Sequence, residues 1–202
     1  MIEDDLYQTL AKPSEEVLFK DKGSKFFGYA FPVTNEKQTK MHLENLKKQH
    51  HSARHWCYAY QLGIDSKAYR VNDDGEPNNS AGLPIYGQIQ SFKLTNVLIV
   101  VVRYFGGTKL GVGGLINAYR TAAQWALENS KIVKRSLKHN YLITFDYKNM
   151  NKVMRIIKEN QLNILDQTLE LDCQLTIEVR KKYSQQIFDA FDRLFEVHIK
   201  KL

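Results

Sequence analysis

The segment Leu94 to Leu127 constrains the fold of this 202-residue chain most: an apolar strand runs into a cluster of glycines and then into a helix. Leu94 to Phe105 reads as a strand buried on both faces. Its core, Val97 to Val102, is the longest uninterrupted aliphatic run in the chain, six residues. A helix needs ~20 apolar residues to cross a bilayer, so no membrane span is expected. After the glycines, Leu115, Ile116, Tyr119, Ala122, Ala123, Ala126 and Leu127 form one apolar stripe at helical spacing.

Upstream, residues 6–33 suggest two or three strands with turns at Gly23 and Gly28, and a polar helix over Glu36 to Gln49 turns Met41, Leu43 and Leu46 toward the core. An aromatic-rich strand over Ala53 to Leu62 is a pairing partner for Ala68 to Val71, and Ser80, after a loop over Asn72 to Asn79, is a candidate N-cap for a short helix. Residues 138–202 alternate more regularly. Tyr141, Ile143, Phe145 and Tyr147 mark a strand; Met150, Val153, Met154 and Ile157 a helix; Leu162 to Leu169 a second strand. Cys173, Leu175, Ile177 and Val179 mark a third, Tyr183 to Leu194 a second helix, and Val197 and Ile199 a closing strand. The order βαββαβ in about 65 residues is that of a ferredoxin-like domain. The fold class is therefore α+β in two domains, 1–137 and 138–202, with the boundary in the polar stretch Arg135 to His139.

Charge points to an anionic partner. The chain carries 29 Lys and Arg against 22 Asp and Glu, a formal net charge of +7. From Pro77 to Leu127 there is no acid at all, while Lys93, Arg103, Lys109 and Arg120 lie there. Two distant cysteines, Cys57 and Cys173, exclude a disulfide framework or a zinc module as the organising principle. With an N-terminus (Met1, Ile2, Glu3, Asp4, Asp5) that has neither a basic start nor an apolar segment, the expectation is a reduced cytoplasmic protein.

Eight of the eleven glycines fall between Gly75 and Gly114. In VVVRYFGGTKLGVGGLINAY, Gly106, Gly107, Gly111, Gly113 and Gly114 join a strand to a helix, the context in which backbone amides and a helix N-terminus hold a phosphate. Arg103, Lys109 and Arg120 make this a candidate anion or nucleic-acid site, although the glycine spacing is neither that of a Walker loop nor of a dinucleotide fingerprint. The alternative is a tight turn with close packing. A second segment, RVNDDGEPNNSAGLP, places Asp73, Asp74 and Glu76 within four residues, which suits a hard cation, an acid/base pair or an ordinary turn. His55 precedes Cys57 by two, on one face of a strand, so a Cys–His pair is the sharp reading and a small buried cysteine the plain one. No cofactor or metal is implied.

The blocks HSARHWCYAYQLG, NDDGEPNNSAG and VVRYFGGTKLGVGGLINAY, in this order and spacing, resemble the IMPACT/YigZ family. His55, Asp73, Asp74, Gly75, Glu76, Pro77, Arg103, Gly106, Gly107, Lys109, Gly111, Gly113 and Gly114 agree with its pattern, whereas Asn117 stands where Arg is usual. The resemblance implies an N-terminal β-α-β sandwich similar to domain IV of elongation factor G and a C-terminal domain similar to that factor's domain V. It implies no settled activity for bacterial members. The eukaryotic ones resemble translation regulators acting through a protein partner by way of an additional domain.

Two function classes follow. One is a non-enzymatic binding module for RNA or the ribosome, with no catalytic residue, acting with translation proteins. The other is an enzyme acting on a small phosphorylated or peptide-like ligand, with His55, Asp73, Asp74 and Glu76 in a polar cleft. Acids sharing a cleft with Arg103 and Lys109 favour catalysis; acids paired or turned away beside a basic face favour nucleic acid.

Overall fold

The computed structural model describes residues 5–64 and 68–202; Met1 to Asp4, part of the N-terminal stretch considered above, lie outside them. The first unit, Tyr7–Arg135, is built from β1 (Leu6–Leu10), β2 (Val17–Asp21), β3 (Ser24–Pro32), α1 (Glu36–Gln49), β4 (His55–Leu62), β5 (Ala68–Asn72), α2 (Gly82–Ser91), β6 (Val97–Tyr104), α3 (Gly111–Glu128) and β7 (Ile132–Ser136). Five strands form one sheet in the order β2-β3-β6-β4-β5, and β1 pairs with β7 in a separate ribbon. β6 runs antiparallel to both neighbours, so β3 and β4 are parallel to each other and β6 fills the slot between them.

The apolar run of β6 suits that slot. Val97, Ile99 and Val101 face α2 and α3, with Phe26, Cys57, Ala59, Ile85, Ile89 and the α3 stripe. Leu98, Val100 and Val102 face the other side, with Tyr29, Leu46 and Tyr60. A strand needs apolar residues at every position only when both faces are covered, and here both are.

Three local expectations change. Gly28, expected to mark a turn, lies inside β3 opposite Val101, where a Cβ would fall 2.5 Å from the Ala122 carbonyl oxygen of α3. Met41 is half exposed, because α1 buries the side carrying Thr39 and Leu46. Ser80 does not cap α2: its hydroxyl donates to the Pro77 carbonyl, and the N-cap position is Ala81, whose side chain accepts nothing. The Asp73 carboxylate does the capping from upstream, accepting from the amides of Asn79, Ala81 and Gly82 at 2.9, 2.9 and 2.8 Å.

The second unit holds Ser136–Leu202 with Asp5 and Leu6. Its elements are β8 (Lys138–Asp146), α4 (Met150–Glu159), β9 (Asn163–Thr168), β10 (Asp172–Arg180), α5 (Ser184–Asp192) and β11 (Val197–Lys201), with strand order β11-β8-β10-β9. This is the split βαβ arrangement, its core formed by Tyr141, Ile143, Phe145, Cys173, Leu175, Ile177 and the inward faces of the two helices.

Asp5 belongs here for a physical reason. Its carboxylate accepts from Arg180 Nε and Nη2 at 2.8 and 3.0 Å and from the Lys182 amide at 3.2 Å, while its carbonyl accepts from the Leu137 amide at 2.7 Å. The hydrogen bond from Arg180 holds the Asp5 carboxyl below its ordinary value of 3.8. A carboxyl lowered by folding adds stability above its unfolded pKa and loses it as pH falls through the folded one. Acid unfolding of this unit below about pH 4 is therefore expected to lose part of its pH dependence in Asp5→Asn, as followed in the full chain by the NMR resonances of residues 136–202. An acid limb identical to that of the parent protein counts against the clasp.

Candidate functional site

Three loops meet at one end of the five-stranded sheet. Arg103 is the last residue but one of β6, β4 begins at His55, and the loop between β5 and α2 carries Asp73, Asp74 and Glu76. By strand alternation His55, Cys57, Val101 and Arg103 lie on the side covered by α2 and α3.

Each acid of the loop is already engaged. Asp73 caps α2. Asp74, at φ 41°, accepts from the Trp56 amide at 2.7 Å through its carboxylate and from the His55 ring Nδ1 at 2.8 Å through its carbonyl. Glu76 is buried and accepts from Arg103 Nη1 at 2.5 Å and from the Tyr119 hydroxyl at 2.7 Å. The Arg103 guanidinium lies 5.4 Å from the Phe26 ring and 5.7 Å from that of Phe105. An isolated charge at such depth is costly, and the ion pair meets that cost for both partners. Arg103 thus departs from the expectation of a phosphate contact: only 5% exposed, it neutralises Glu76 inside the fold.

Cys57 makes no pair with His55. Its thiol lies 3.0 Å from the Asp73 carbonyl and 3.3 Å from the Tyr119 hydroxyl, to both of which it can donate. Burial pushes the thiol pKa well up, so it is held as a neutral side chain and not as a thiolate nucleophile. His55 Nε2 stands 3.9 Å from Glu76, with its ring at the edge of the buried pair. Among the described residues, no group of three His, Cys, Asp or Glu is placed to hold a metal ion.

The glycine loop is different. Phe105, Gly106, Gly107, Thr108, Lys109, Gly111, Val112 and Gly113 are exposed, and Gly114 packs on Leu110. Gly106 lies against the β2–β3 turn: a Cβ there would fall 1.9 Å from the Gly23 carbonyl carbon and 2.1 Å from the Ser24 amide nitrogen. The Ser24 hydroxyl accepts from the Gly106 amide at 3.1 Å. This crossing brings the exposed Lys22 and Lys25 to the glycine loop, residues that sequence reading did not select. Gly23 offered only a generic turn signal, and its partner lies some eighty positions away.

Gly113 has no such neighbour; a Cβ would meet nothing within 4 Å. It sits in the first turn of α3, which begins at Gly111, earlier than the apolar stripe suggested. That turn has no side-chain cap and no acid. Its first amides therefore lack intrahelical acceptors and carry the positive end of the helix dipole. Arg120 is exposed on the same helix face as Gly113, seven residues or about 10 Å along the axis. Tyr119, read from sequence only as part of the apolar stripe, supplies the hydroxyl that joins Cys57 to Glu76.

A covered antiparallel sheet followed by a split βαβ unit, with the acids of one loop engaged inside the fold and a separate glycine loop exposed, defines a two-unit α+β protein. The profile of the Impact N-terminal domain matches residues 22–127, which span the site from Lys22 to the end of the α3 stripe. The chain belongs to the IMPACT family. It is 34% identical over 155 residues to the IMPACT family member YvyE of Bacillus subtilis (strain 168), covering 77% of this chain and 71% of that one. It is 30% identical over 138 residues to the IMPACT family member YigZ of Escherichia coli (strain K12), covering 67% and 68%. Protein IMPACT of Homo sapiens is 35% identical over 96 residues, which cover 45% of this chain and 29% of the human protein. A crystal structure described as that of a hypothetical protein shares the fold, with a TM-score of 0.75 over 96% of each chain at 24% identity. No helix among the described residues is long and apolar enough to cross a membrane.

Proposed function

We propose that the Tyr7–Arg135 unit is a non-enzymatic binding module for the phosphate backbone of structured RNA, in the setting of the cytoplasmic ribosome. One observation carries this reading: the acids of the loop are turned inward onto amides and Arg103, whereas the glycine loop, the uncapped start of α3 and Lys22, Lys25, Lys109 and Arg120 face solvent. A surface of fixed cations and free amides with its acids neutralised attracts phosphate without reading bases. Similarity of this unit to domain IV of elongation factor G, a ribosome-bound factor, is part of the proposal and is an argument by analogy of fold.

The test is binding of a structured RNA hairpin and of purified ribosomes across a salt series. Two to four phosphate contacts predict a log–log slope of roughly −1.5 to −3.5. Lys109→Ala is expected to make that slope shallower by about 0.7 to 0.9 and to weaken all RNA sequences alike. Salt-independent binding, or none to either probe at low salt, removes the proposal and leaves a small phosphorylated or peptide-like ligand as the reading to pursue.

A further inference from the structure

In the Ser136–Leu202 unit, three turns at one end of the sheet each expose a large apolar side chain. Tyr147 follows β8, Leu171 precedes β10 and Phe195 precedes β11; they are 63%, 89% and 81% exposed. The turns are neighbours. The Tyr147 amide donates to the Leu171 carbonyl at 3.4 Å, and Lys148 Nζ ties the other pair of turns, 2.5 Å from Glu196 and 3.2 Å from Asp146. Nothing in the packing of the unit calls for these side chains, since its core closes on Phe145, Cys173, Phe191 and Val197 beneath them. Glu196 holds a left-handed backbone, φ 59°, immediately after Phe195, a conformation that costs a residue with a side chain and keeps the turn raised.

The surrounding charge specifies the occupant. Asp146, Glu170, Asp172, Asp192 and Glu196 are exposed around the three apolar residues, against Lys148, Lys152 and Arg193. Asp146 is bridged by Lys148, whereas its direct cross-strand partner Asp172 has no ion pair among the described residues, so the like-charge pairing leaves the Asp172 carboxylate to be met from outside. On a chain of net charge +7 this is a local reversal of sign. It repels nucleic acid and anionic lipid and attracts cations.

We propose that this end of the unit is a docking surface for a Lys/Arg-rich protein segment that carries an apolar anchor. The anchor covers Tyr147, Leu171 and Phe195, and the basic side chains meet the ring of carboxylates. The surface is independent of the RNA-binding reading and is of opposite charge.

The test uses the full chain and a synthetic amphipathic helical peptide built from Lys and Leu, with one control peptide in which Glu replaces Lys and another in which Ser replaces Leu. The Lys/Leu peptide is expected to bind, and its NMR shift changes to centre on Tyr147, Leu171 and Phe195; both controls are expected to bind at least tenfold more weakly. Leu171→Ser with Phe195→Ser should weaken the Lys/Leu peptide at least tenfold, and Asp172→Asn with Glu196→Gln should flatten the salt dependence of its binding. If the paired serine variant shows a lowered melting temperature, Phe195→Lys alone, at an exposed position, is expected to give the same loss. Undiminished binding by these variants, shift changes centred elsewhere, or equal binding of the Glu/Leu peptide would overturn the proposal. So would concentration-dependent dimerisation abolished by Phe195→Lys, since the surface would then belong to a second copy.

Discussion

Glu76→Gln is expected to destabilise the Tyr7–Arg135 unit by about 3–5 kcal/mol, the usual cost of leaving one partner of a buried ion pair alone. The substitution preserves the shape of the side chain and an oxygen for the Tyr119 hydroxyl, so the loss reports the charge. Arg103 has little access to water: it is buried between Phe26 and Phe105, and its Nε already lacks a hydrogen-bond partner. Arg103→Met should cost less, because the Glu76 left behind keeps the hydrogen bond from the Tyr119 hydroxyl, whereas the guanidinium left by Glu76→Gln cannot shed its charge. The pair Glu76→Gln with Arg103→Met should recover much of the loss, so the two substitutions are strongly non-additive. Urea unfolding followed by tryptophan fluorescence reads this unit alone, since both tryptophans of the chain, Trp56 and Trp125, lie in it. Additive losses below about 1 kcal/mol each would show that the pair is solvated.

Gly106→Ala and Gly113→Ala should behave in opposite ways although both lie in the glycine loop. At 106 the new methyl meets backbone atoms of Gly23 and Ser24, which cannot rotate aside as a side chain can, so the loop and the β2–β3 turn must separate. A loss of about 3 kcal/mol or more is expected, at the upper end of overpacking costs. At 113 the methyl meets open space in the first turn of a helix, where alanine is as good as glycine or better by up to about 1 kcal/mol. If RNA phosphate approaches the α3 amides, that same methyl obstructs it, and Gly113→Ala should bind RNA more weakly at unchanged stability. A variant that binds as the parent does would place the phosphates elsewhere, and one that unfolds would show that the glycine serves packing.

Much of the fold was legible because periodicity is local. The helix read over Glu36 to Gln49 forms over those residues, and the β6 run announced a strand covered on both faces. The second unit follows its alternation except at Tyr147, which lies past the end of β8 in an exposed turn. What escaped reading depends on partners distant in the chain. Arg103 looked like a surface cation because Glu76 lies 27 residues away and its burial cannot be seen from local composition. Asp73 looked like a cation ligand or a turn residue, and only the return of the chain at Ala81 and Gly82 makes it a cap. For Met41 the helix period was right but the angular origin of the buried face was a residue or two off. His55 and Cys57 do share a strand face as expected, yet each ring and thiol is claimed by a different carbonyl of the acidic loop.

The placement of β6 between β3 and β4 has a consequence for how the protein is made. Until residue 104 has been synthesised, β3 and β4 each carry an unpaired edge facing the same gap, and the only strand that fits the gap is still to come. The pairings of β6 reach back across about forty to eighty positions, separations that slow folding because long loops must close before any contact rewards them. A nascent chain halted before Val97 has two exposed strand edges able to pair with each other in parallel or with a neighbouring chain. Translation of the stretch from Leu94 to Glu128, which delivers the central strand and the helix that covers it, is the interval in which this sheet closes or misassembles.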